Sequence, residues 1–130
     1  MSDIRGRSLE VSYRRVYGAE FTVRDVEGRA IDVVVRFAGL LRQLRHTWFL
    51  KRGLRPVIVI SDDYSSVWLS VEDGERRIYI ELEVCGECRG GEGVIEVVGY
   101  DGRVFASLLR AFSAALSRVF EASIVARGAV

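Results

Sequence analysis

The chain has 130 residues, 49% of them hydrophobic, enough for one core and one domain over residues 1–130. Its 19 Lys and Arg nearly balance 18 Asp and Glu, so net charge alone does not mark a polyanion binder. Residues 1–10 carry Arg5 and Arg7 without an apolar stretch, and no apolar run approaches a membrane span; a cytoplasmic protein without secretion signal or transmembrane segment is expected.

Along the chain, Leu9, Val11 and Tyr13, then Phe21 and Val23, alternate with polar residues, which predicts an N-terminal hairpin over 8–25 turning near Gly18. Residues 30–37 fit either a strand or a helix, and the β-branched run Ile31, Val33, Val34, Val35 favours a third strand. From 37 to 52, Phe37, Leu41, Leu44 and Trp48 recur at helical spacing, with Gly53 as the stop, which predicts the first amphipathic helix. After Pro56, four strand-like runs over 57–61, 66–72, 76–84 and 94–99 read as an antiparallel meander. Asp73-Gly74 predicts a two-residue type I′ hairpin that sets Leu69 against Ile78 and Trp68 against Tyr79. A long second helix over 103–125, capped by Asp101, carries its apolar stripe toward the sheet. The expected fold class is therefore α+β: N-terminal hairpin, amphipathic helix, four-stranded antiparallel meander and long C-terminal helix packed on the sheet.

Charge is distributed unevenly along this framework. Residues 33–61 hold Arg36, Arg42, Arg45, Lys51, Arg52 and Arg55 and no acid, whereas 62–96 hold ten acids against three arginines. On a helical wheel Arg42, Arg45, His46 and Arg52 gather around Phe49, an aromatic ringed by cations. Such a surface suits nucleic acid, because guanidinium groups hold phosphates and bases stack on exposed rings. Arg36, Lys51 and Arg55 extend the track. The alternative is a solvated basic face with Phe49 docked against a neighbouring element.

Other constellations are weaker. Trp68 and Tyr79, expected side by side on the outer face with Glu81 and Glu83, suggest an interface or a helix cover rather than a phosphate site. Cys85-Gly-Glu-Cys88 is half of a zinc knuckle and lacks two further ligands, so Cys85 and Cys88 read as a disulfide or free thiols before a metal pair. Residues 89–93 read as a glycine-rich loop, and Asp62-Asp63-Tyr64-Ser65 as a turn bonding its own backbone. One His and no nucleophile elbow, phosphate loop or dinucleotide fingerprint argue against an enzyme, and no cofactor is expected. Eighteen of the basic residues are Arg, Gln43 is the one Gln and Asn is absent, a composition suited to heat.

From residue 55 onward the order of four strands and a long helix resembles, in topology alone, the repeating unit of Whirly-type proteins that bind single-stranded nucleic acid. A second likeness is to helix-grip carriers, whose long helix lies across a curved sheet over an apolar ligand. The leading expectation is a small, non-catalytic nucleic-acid-binding protein, single strands favoured and sequence selectivity weak, acting as a homodimer. The alternatives are a subunit of an oligomeric complex joined through basic and acidic surfaces, and an apolar-ligand carrier.

Overall fold

A computed structural model describes residues 15–24, 30–85 and 89–127. They form β1 (Val16–Arg24), α1 (Ala30–Leu44), β2 (Val57–Ile60), β3 (Ser66–Asp73), β4 (Arg76–Cys85), β5 (Gly90–Val98), α2 (Gly102–Val119) and β6 (Glu121–Arg127). Between α1 and β2 the chain continues through a π-helical turn (Arg45–Phe49) and a 3-10 turn (Leu50–Arg52). The structure is α+β, with the six strands in one antiparallel sheet of order β2-β3-β4-β5-β1-β6. The expected meander of four is thus widened by the first strand and the last.

Three segments depart from local expectation because a tertiary neighbour outweighs a local preference. Residues 16–24 run as one strand straight through Gly18, which pairs with Glu96 on one side and Arg127 on the other. No hairpin turns at Gly18, and the strand expected over 8–14 lies outside the described residues. The third strand expected over 31–37 is the first two turns of α1. Val33, Val34, Phe37, Ala38 and Leu41 are all buried there, and a strand would send the adjacent Val33 and Val34 to opposite faces. The helical cost of a β-branched residue, a few tenths of a kcal/mol, is small beside about 1.5–3 kcal/mol for burying its side chain. The helix expected to reach 125 stops at Val119: Phe120 is extended (φ −135°, ψ 160°), and residues 121–127 pair with β1, Ile124 facing Phe21.

Gly90, Gly91 and Gly93, expected in a loop, open β5 instead. A Cβ on Gly93 would stand 2.1 Å from Phe21 Cζ and 2.3 Å from the Glu81 carbonyl oxygen. The bare backbone there makes room for the Phe21 ring. The β3–β4 hairpin also turns one residue later than expected. Its loop residues are Gly74 and Glu75, and Gly74 alone of the pair has positive φ (64°), as a type II′ turn requires; a type I′ turn would need Glu75 at positive φ too. Leu69 consequently faces Ile80 and Trp68 faces Glu81. This shift is even, so each side chain keeps its expected face.

Other local readings hold. Asp101 caps α2, its carboxylate accepting from the backbone N–H of Arg103 and Val104 at 3.0 Å each. Gly53 ends the helical segment at φ 74°. In the 61–66 turn, Asp63 Oδ1 accepts from Ser65 N (3.1 Å) and Ser65 Oγ (2.6 Å), and Ser61 Oγ accepts from Ser65 N and Ser66 N at 3.0 Å.

Both helices lie on one face of the sheet. Phe21 of β1 stacks on Phe37 of α1 (5.6 Å) and meets Phe112 of α2 edge-on (4.9 Å), all three rings being buried. Arg36 near the start of α1 reaches Val119 at the end of α2, whereas Trp48 beyond α1 reaches Ser107 early in α2. The helices therefore run antiparallel. Large side chains, Phe37, Phe49, Leu41, Leu44, Leu108 and Phe112, fill the space between helices and sheet, where a helix-grip carrier would hold its ligand.

Candidate nucleic-acid interface

The basic end of the helix layer is shaped by the π turn. In an unbroken α-helix Phe49, twelve residues after Phe37, would stand about 120° round from it, between Arg42 and Arg45. The wider turn over Arg45–Phe49 holds an extra residue, which turns the following chain back by about 100°. Phe49 is thereby aimed into the core, 0% exposed, with Trp48 beside it at 3%. Phe49 is not an exposed stacking platform, which corrects the sequence expectation; its ring meets Trp48 edge-on at 4.9 Å.

Turned toward α2, the Trp48 indole N–H donates to Ser107 Oγ at 3.0 Å. Arg52 stacks over the Trp48 ring, 4.0 Å from its centroid, and donates to Ser107 Oγ (3.1 Å) and to the Trp48 carbonyl (2.9 Å). Arg36 also leans on α2, donating to the Val119 carbonyl at 2.5 Å and lying 4.9 Å over the Phe120 ring. These two cations serve the helix–helix seam. Arg42, His46, Lys51 and Arg55 are exposed, and Arg45 is half-buried.

The second helix adds cations that sequence reasoning assigned only to a polar flank. Arg103, Arg110 and Arg118 are exposed on α2 opposite its buried Phe105, Leu108 and Phe112. Arg103 and Arg110 flank Ser107 by four residues and three, so they stand at the same end of the layer as Arg52. Residues 30–55 and 102–119 together contain nine Lys and Arg and one acid, Asp32. Among the described residues, Arg42, Arg45, Lys51, Arg55, Arg103 and Arg110 have no carboxylate partner. The readable signal was the absence of any acid from α2.

The opposite face of the sheet carries the other sign. Strand alternation places Glu72, Glu81, Glu83, Glu92, Glu96, Glu20 and Glu121 there with Arg24, Arg77 and Arg127. Arg77 is paired with Glu96 and Arg127 with Glu20. A groove of about 420 Å³ between Glu20, Glu81, Glu83 and Glu92 is lined by carboxylates and repels phosphate. Trp68 and Tyr79 lie half-buried on this face, diagonal to each other rather than paired. The Tyr79 hydroxyl donates to the Glu81 carboxylate, and burial followed by that bond pushes its pKa up to about 12.

Cys85 is exposed at the end of β4, and Cys88 lies outside the described residues. No group of His, Cys, Asp and Glu able to hold a metal ion occurs among the described residues, and none of their helices is long and apolar enough to cross a membrane. Compared with known proteins, the chain matches no family model and no curated sequence.

Proposed function

We propose that the protein is a non-catalytic nucleic-acid-binding protein that grips phosphates with its helix layer. The observation that carries this reading is the nine-to-one excess of Lys and Arg over acid in the two helical segments, set on the face away from the carboxylates. Arg42, Arg45, Lys51, Arg55, Arg103 and Arg110 supply the contacts, while Arg36 and Arg52 hold the helices in place. With Phe49 in the core, base stacking there drops out, and so does its argument for single strands. Binding rests on the backbone and is weakly selective for sequence.

The test is a titration of labelled single-stranded and duplex oligonucleotides at 50 and 200 mM salt. Six contacts to a single strand imply a log–log slope of about −4, a loss of roughly 300-fold over that range. Substituting Arg42, Lys51 and Arg110 together by Ala, none of which has a described interior contact, should halve the slope. Salt-independent binding, or an unchanged triple variant, would refute the reading. A second reading, joining the basic layer of one molecule to the acidic sheet face of another, is favoured by the separation of the two signs; it predicts salt-sensitive, open-ended association without nucleic acid.

A further inference from the structure

The edge strand β6 has the features of a self-pairing surface. Among the described residues it pairs with β1 alone and forms one margin of the sheet. The opposite margin, β2, has four residues directly after Pro56, a short edge of the kind that resists pairing. In contrast, β6 has seven residues with neither Pro nor Lys, and Val125 is 66% exposed. Long apolar edges invite a further strand.

Which strand is written in its charges. Glu121 and Arg127 stand three residues either side of Ile124. We propose that β6 pairs antiparallel with β6 of a second copy of this chain, centred on Ile124, to join two six-stranded sheets across a two-fold axis. In that register Glu121 faces the second copy's Arg127 and Arg127 faces its Glu121, both on the outer face. Ala122 meets Ala126, and Ser123 meets Val125. A shift of two residues either way loses both unlike-charge pairs, so complementarity selects this register. Each Arg127, already paired with Glu20 of its own chain, then lies between two carboxylates.

The helix layer leaves room for this union. The flank of α2 away from α1 carries Ala106, Leu109, Arg110, Ser113, Ala114 and Ser117 along a shallow open groove of about 550 Å³. That flank lies on the β6 side, because α1 covers β2 to β5. Four of its six residues are Ala or Ser, and with Ala122 and Ala126 beneath they let the two α2 helices approach as the edges join, Leu109 adding apolar surface and Arg110 standing exposed on the groove. Strand pairing through β6 uses none of the cations assigned to nucleic acid, although one of them, Arg110, also lines the α2 groove.

Sedimentation of the full-length chain should show a concentration-dependent dimer, and exchange of the β6 amides should slow as the dimer fills. Glu121→Arg and Arg127→Glu each set like charges opposite at both ends and should raise the dimer Kd about tenfold or more. Mixing these two variants again places unlike charges opposite each other and should restore the wild-type Kd. A wild-type monomer, concentration-independent exchange in β6, or a mixture no tighter than its components would overturn the proposal. Oligonucleotide titration of the same variants separates the two readings, since both leave the helix-layer cations intact.

Discussion

Ser107 holds the two helices together at the basic end with a single hydroxyl oxygen. It accepts from the Trp48 indole and the Arg52 guanidinium at 3.0 and 3.1 Å, and Trp48 is buried. Ser107→Ala leaves the indole N–H without an acceptor, a loss of about 1–3 kcal/mol that thermal or urea unfolding should register; Ser107→Thr keeps the oxygen and should recover much of it. Tyr79 is legible by titration. Its hydroxyl stays protonated to about pH 12 in the folded chain, against an ordinary value of 10.0. Between these pH values the unfolded chain gives up the proton first, so this residue's contribution is intact below pH 10 and is lost as pH rises toward 12. Phenolate absorbance should show two late tyrosines, Tyr79 and the Tyr100 that burial also pushes up; Tyr79→Phe removes the first, and Glu81→Gln should move the Tyr79 midpoint down by removing the carboxylate. A midpoint unchanged in the Gln variant would mean burial alone sets it. Asp63 shifts the other way, its carboxylate held below 3.8 by the hydroxyls of Ser65 and Ser61.

Among the elements, β5 depends on missing side chains. Gly93 yields its space to Phe21, whose ring also contacts Phe37 and Phe112. Gly93→Ala pushes a methyl group against that ring and against the Glu81 carbonyl, and overpacking of this kind costs about 1–3 kcal/mol or more. Denaturant unfolding measures it, and a neutral Gly93→Ala would show that the strand relaxes around the added carbon. The π turn has the same character of a local deviation with a distant purpose. It turns Phe49 inward and Trp48 toward Ser107, leaving cations outside. Periodicity marked the helix correctly from Phe37 to Leu44, missed its first two turns, and lost phase with it at Arg45, because an inserted residue leaves no mark in the apolar spacing.

At the scale of the whole molecule, a two-layer fold converts a chain dipole into a facial one. Both helices, whose one acid is Asp32, cover one side of the sheet, and the solvent side of the strands gathers glutamates. The basic block over 33–61 and the acidic block over 62–96 were visible in the sequence. That α2 joins the first was not, since Arg103 and Arg110 lie far along the chain and reach Arg52's neighbourhood only through Ser107, and Arg118 comes to the Arg36 end only through Val119. Salt-dependent binding of a polyanion belongs to this scale, because it sums over many cations and no single one decides it.

By itself the sequence determined the strand pattern from 57 to 85, the α2 cap, the helix stop at Gly53 and the segregation of charge, because each depends on neighbours a few residues away. Only the tertiary structure decided that 30–37 is helical, that 121–127 is an edge strand, and that Phe49 is core rather than surface. In each of these the local preferences are nearly balanced. Burial against a distant strand or helix, larger by a kcal/mol or more per side chain, settles the conformation.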